Sequence, residues 1–73
     1  MEELVGAIRV INDNGDELTV YEYQEFVTLL ASSELRRHPG RKRFVLDTGE
    51  IVSRVDPDSF LVVATGERLL RIK

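Results

Sequence analysis

From residue 4 the chain reads Leu-Val-Gly-Ala-Ile-Arg-Val-Ile, an apolar run rich in β-branched side chains that stops at the turn formers Asn12-Asp13-Asn14-Gly15-Asp16. Leu18-Thr19-Val20-Tyr21 resumes the strand pattern, and Asn14-Gly15 is the dipeptide that most readily takes the two positive φ angles of a type I′ turn. The first unit predicted is therefore a β-hairpin. From Tyr23 the period changes: Tyr23, Phe26, Val27 and Leu30 recur at i, i+3, i+4 and i+7, which predicts one helix over about residues 22 to 36. Acids near its start, Glu22 and Glu25, and bases near its end, Arg36 and Arg37, suit the helix dipole, and Pro39-Gly40 would end it. Thr19 and Glu22 also have capping-box spacing, so residues 19 to 23 read either as strand or as helix start.

Beyond Gly40, short apolar segments recur at residues 43 to 46, 51 to 55, 60 to 64 and 67 to 72. They are separated by Asp47-Thr48-Gly49-Glu50, Asp56-Pro57-Asp58-Ser59 and Thr65-Gly66. These predict a four-stranded antiparallel meander. The expected fold is α+β and mainly β: the hairpin, the helix and the meander as one domain over residues 1 to 73, closing into a curled sheet or small SH3-like barrel.

Several of the expected strands are apolar on both sides. Phe60, Val62 and Ala64 would share one face and Leu61 and Val63 the other, while Leu69 lies across from Leu70 and Ile72. A single helix of ~14 residues, about 21 Å long, covers two or three strands and not six. The pattern thus predicts either scattered harmless exposure or a protein-binding or self-association face at Leu61, Val63 and Leu69. Tyr21, between strand and helix, would present its hydroxyl to solvent or to a partner, whereas Phe26 continues the apolar stripe.

The 73-residue chain has a net charge of −3, but its charge is unevenly spread. Residues 1 to 35 hold eight acids and one base, and residues 36 to 43 hold five bases and no acid. The block Arg36-Arg37-His38-Pro39-Gly40-Arg41-Lys42-Arg43 matches the chemistry of phosphate binding, with Arg36, Arg37, Arg41, Lys42 and Arg43 as cations and His38 adding charge below about pH 6.5. It also has partners of opposite sign within the chain. A solvated or internally paired segment, a polyanion or nucleic-acid contact, and an acidic protein partner all fit it.

Catalytic signatures are thin. There is no Cys and one His, no glycine-rich phosphate loop and no Gly-x-Ser-x-Gly elbow. Asp47, Glu50, Asp56 and Asp58 would form a carboxylate pair only if the fold assembled them, and turn chemistry accounts for each. Asn12-Asp13-Asn14-Gly15-Asp16-Glu17 has calcium-like composition, but its glycine comes too early for an EF-hand loop. No metal, cofactor or enzymatic activity is expected. With an acidic start and no apolar run near ~18 residues, neither a secretory leader nor a membrane anchor is expected, and the cytosol is the expected compartment. The reading that best fits the sequence is a small non-enzymatic interaction module that binds itself or another protein through a sheet face or edge, with polyanion binding at 36 to 43 as the alternative.

Overall fold

In the computed structural model, which describes residues 2–31 and 34–72, six strands follow one another without a helix among the described residues. They are β1 (Glu2–Ile11), β2 (Glu17–Ala31), β3 (Glu34–Leu46), β4 (Ile51–Asp56), β5 (Ser59–Val62) and β6 (Arg68–Arg71). Each pairs antiparallel with the next, and β6 returns to β1, closing a barrel in chain order. This corrects the expected fold class: the protein is a closed six-stranded antiparallel barrel, not a four-stranded meander with one helix. The segment expected as helix, residues 22 to 36, runs as the outer part of β2 and the start of β3; residues 32 and 33 of it lie outside the described residues.

Three of the turns, at Gly15, Gly49 and Gly66, place a glycine at positive φ. Gly15, at φ 83°, donates its N–H to the Asn12 carbonyl at 3.1 Å, and Asn12 donates back to the Asp16 carbonyl. Asp13 and Asn14 therefore occupy the centre of the turn and Gly15 the left-handed position after it. That is a three-residue loop with a glycine bulge, in place of the expected two-residue type I′ turn. The Asn12 side-chain oxygen accepts from the Asn14 and Asp16 N–H groups at 3.0 and 2.9 Å, which pins the loop. The same device recurs at Leu46-Asp47-Thr48-Gly49-Glu50, with Gly49 at φ 94°.

Alternation along the strands sends Val10, Val20, Leu46, Val52, Phe60, Val62 and Leu69 into the barrel, all buried, with Ile8, Leu18 and Phe44 packed against them. Phe44 and Phe60 meet at 5.6 Å between ring centroids and 60° between planes, an edge-biased contact favoured by the ring quadrupoles. Seven buried side chains, worth up to ~1.5–3 kcal/mol each in burial, form a small core. It lies at one end of the molecule.

Closure is local. β1 pairs with β6 only at Val10↔Arg71 and Ile11↔Leu70, extended by the Ile72 N–H to the Arg9 carbonyl at 2.9 Å. β3 pairs with β4 only at Phe44↔Val52 and Val45↔Ile51. Above these seams β1, β2 and β3 continue as a three-stranded sheet, and beyond Glu2 only β2 and β3 remain, paired from Phe26↔Pro39 to Ala31↔Glu34. This outer ribbon is an arm. It gives the molecule extents of 54 × 25 × 20 Å and a radius of gyration of 15.1 Å, against about 11 Å for a compact chain of this length.

Candidate functional site

The arm begins at an irregularity in the β2–β3 ladder. Gln24 pairs with Lys42 and Phe26 with Pro39, so Glu25 alone faces Gly40 and Arg41. Such a bulge bends and twists the ribbon. It is held by Gln24, a buried polar side chain whose amide donates to the carbonyls of Gly40 at 2.9 Å and Glu25 at 3.1 Å. Proline is tolerated at position 39 because β3 is an edge strand there, with β2 on one side only.

Alternation assigns the side chains of the arm to two faces. Phe26, Thr28 and Leu30 share one face with their cross-strand partners Pro39, Arg37 and Leu35; Val27 and Leu29 share the other with His38 and Arg36. The Arg37 guanidinium lies 4.1 Å from the centre of the Phe26 ring and pairs with Glu3 of β1. Leu30 and Leu35, directly opposite each other, are 73% and 74% exposed; Val27 and Leu29 are also exposed. Apolar side chains thus stand on both faces of a two-stranded ribbon, an element that is marginal in water by itself.

The basic block is divided by this geometry. Arg43 forms a two-point pair with Glu2, Nε to Oε2 at 3.0 Å and Nη2 to Oε1 at 2.6 Å, and lies 5.1 Å from the Tyr23 ring. That contact holds the Glu2 carboxyl below the usual glutamate range and raises Arg43. Lys42 pairs with the largely covered Glu22 at 3.3 Å, and Arg37 with Glu3. Arg37, Lys42 and Arg43 are therefore matched to acids of β1 and β2, the internal pairing that the charge asymmetry allowed. Arg36, opposite Leu29, and His38, opposite Val27, lie on the arm, and Arg41 sits in the bulge; all three are exposed.

The residues expected on an interface separate. Leu69 is fully buried in the barrel interior, so it belongs to the core and not to a face. Val63 is 60% exposed, and its N–H donates to the Ile51 carbonyl. Tyr21 is half-buried on the barrel wall, in a row that runs Ala7, Tyr21, Val45, Ile51 across β1 to β4. Tyr21 and Val63 are thus joined through Ile51, while half-buried Leu61 lies further along, opposite Ser53 and Arg68. Tyr21 is strand throughout, not a strand-to-helix junction.

The carboxylates weighed as a pair fall into two turns, one at each end of β4. Asp47 and Glu50 flank one end of β4, where Asp47 accepts from the Thr19 N–H at 3.2 Å, and Asp56 and Asp58 lie at the other end. Asp56 accepts the Asp58 N–H at 2.9 Å; this bond and Ser59 hold its carboxyl below the usual aspartate range. The candidate calcium loop spends the Asn12 oxygen on its own backbone. Among the described residues no group of three or more metal-ligating side chains assembles, and no ligand-sized pocket opens. No helix there is long and apolar enough to cross a membrane.

Leu29, Leu35 and Gln24 were not singled out in the sequence, and Leu30 was read only as part of a helical stripe. Their signal was the density of Thr, Val, Tyr and Phe from 19 to 28, which favours strand over helix. Comparison with protein-family models, with curated proteins and with solved structures gives no match.

Proposed function

We propose that this small β-barrel is a non-enzymatic interaction module, working in the cytosol without a cofactor, whose β2–β3 arm associates with a second copy of the chain. The observation that carries this reading is the arm itself: a ribbon projecting from the barrel with Val27, Leu29, Leu30 and Leu35 exposed on its two faces. Large apolar side chains gathered on a protruding element mark an interaction surface. Pairing of Arg37, Lys42 and Arg43 with Glu3, Glu22 and Glu2 leaves less of the basic block for a polyanion, and this favours the protein reading.

The test compares the wild-type chain with a Leu29→Ser, Leu30→Ser, Leu35→Ser variant by light scattering, and titrates each with a short DNA duplex at two salt concentrations. The proposal expects wild-type association that survives 1 M salt, because apolar contact is not weakened by screening, and at least tenfold weaker association in the variant. Its barrel should still unfold cooperatively, since none of the three residues touches the core. Duplex binding that falls with salt at about 0.9 log units per phosphate contacted, without self-association, would replace this reading by polyanion binding.

A further inference from the structure

We infer that residues 2–8 of β1 pair antiparallel with the same edge of a second copy, joining two β3–β2–β1 sheets into one across a twofold axis near Leu4 and Val5. The inference rests on the self-association reading and names its contact. Among the described residues two long strand edges are open: residues 2–8 of β1, paired there with β2 alone, and residues 34–43 of β3, likewise paired with β2 alone. An open edge is a template for another strand, and proteins guard such edges with cations, proline and bulges.

The two edges are guarded very differently. That of β3 carries Arg36, Arg37, His38, Pro39, Arg41, Lys42 and Arg43 and the bulge at Gly40. That of β1 opens with Glu2 and Glu3 and then runs Leu4, Val5, Gly6, Ala7, Ile8 without a cation or a proline, and its one irregularity is the bulge at Val5. Leu4 and Val5 are 55% and 49% exposed.

Charge then selects the partner. β3 paired with itself sets cation against cation, which is destabilising directly across a ladder. β1 paired with itself about Leu4 and Val5 sets Glu2 and Glu3 opposite the apolar stretch 5–8, so no acid faces an acid. It also carries those two acids toward the end of the partner's β6, where Arg71 is paired with Val10. Pairing β1 with the β3 of another copy leaves one edge of each chain unfilled, an arrangement that propagates instead of closing. The molecule as a whole, arm and β1 edge together, carries surplus surface. The accessible area of 5263 Å² exceeds by roughly 700 Å² that expected of a compact monomer of 8.3 kDa, and each partner in a standard interface contributes about 800 Å².

Because the chain has no cysteine, single cysteines report the contact directly. Residues facing each other across a ladder have Cβ atoms about 4.5–5.5 Å apart, within or close to disulfide reach. Either Leu4→Cys or Val5→Cys, whichever stands nearer the axis, should oxidise to a covalent dimer at least tenfold faster than Val63→Cys at equal concentration. A Leu4→Lys, Val5→Lys variant should raise the dimer dissociation constant at least tenfold; if it fails to fold, the cross-linking rates decide. Cross-linking at 4 and 5 no faster than at 63, in a dimer still weakened by the arm leucine substitutions, would overturn the β1 pairing and leave association through the arm standing. A wild-type chain that stays monomeric would remove both.

Discussion

Glu2 and Arg43 join the first turn of pairing in β1 to the root of the arm, and their two-point contact is the clearest electrostatic signature of the structure. The Glu2 carboxyl titrates below the ordinary glutamate value, chiefly because Arg43 hydrogen-bonds its charged form. With the folded value depressed, the stabilisation from this pair is present above the ordinary glutamate range and is lost as pH falls through the lowered value. The pair is exposed, so the effect on global stability is small and the local titration is the proper readout. Carboxyl-detected NMR should place Glu2 below the usual glutamate range, and Arg43→Ala should return it to that range while leaving Asp56 low, since Asp56 is held by Asp58 and Ser59. An unchanged Glu2 titration in that variant would contradict the contact. At this scale the sequence was partly legible: the acids of the first half and the bases at 36 to 43 do meet. Which acid takes which base depended on a ladder register that the charges alone do not encode.

The arm is where the reading by pattern failed, and the reason is physical. Tyr23, Phe26, Val27 and Leu30 match helical spacing, but the stripe mixes Tyr23 and Val27 from one face of a strand with Phe26 and Leu30 from the other. A ribbon with apolar residues on both faces loses the two-residue alternation that distinguishes strand from helix. Pro39-Gly40, read as a helix stop, marks an open edge and a bulge instead. The same two-sidedness was legible at Phe60 to Val63, where Phe60 and Val62 do face inward. There it correctly implied surplus apolar surface; Leu69 was assigned to the wrong side because β6 alone has too few residues to fix its phase. The arm's root makes a separate prediction. Gln24→Ala removes the donor to the Gly40 and Glu25 carbonyls and should cost about 1–3 kcal/mol in chemical unfolding, the scale for leaving buried carbonyls unmatched. A cost below ~0.5 kcal/mol would mean that the bulge does not depend on Gln24.

Taken whole, the molecule combines a small closed core with a sheet that outruns it. Six strands in chain order make a barrel with purely local connections, which the succession of turn signals did foreshadow from Asp47 onward. A small barrel was one of the two expected forms, but the seams that close it were not legible, because β1 with β6 and β3 with β4 each meet over only two residue pairs. Seven buried side chains leave little reserve in a domain whose expected stability is about 4–11 kcal/mol, and a second copy over the arm and the β1 edge would add to it. The most direct test of that claim is sedimentation equilibrium of the wild-type chain at high micromolar concentration in 1 M salt. Self-association gives a species of twice 8.3 kDa in reversible exchange with monomer, its dissociation constant little changed from low salt; a single 8.3 kDa species across the whole range would rule it out.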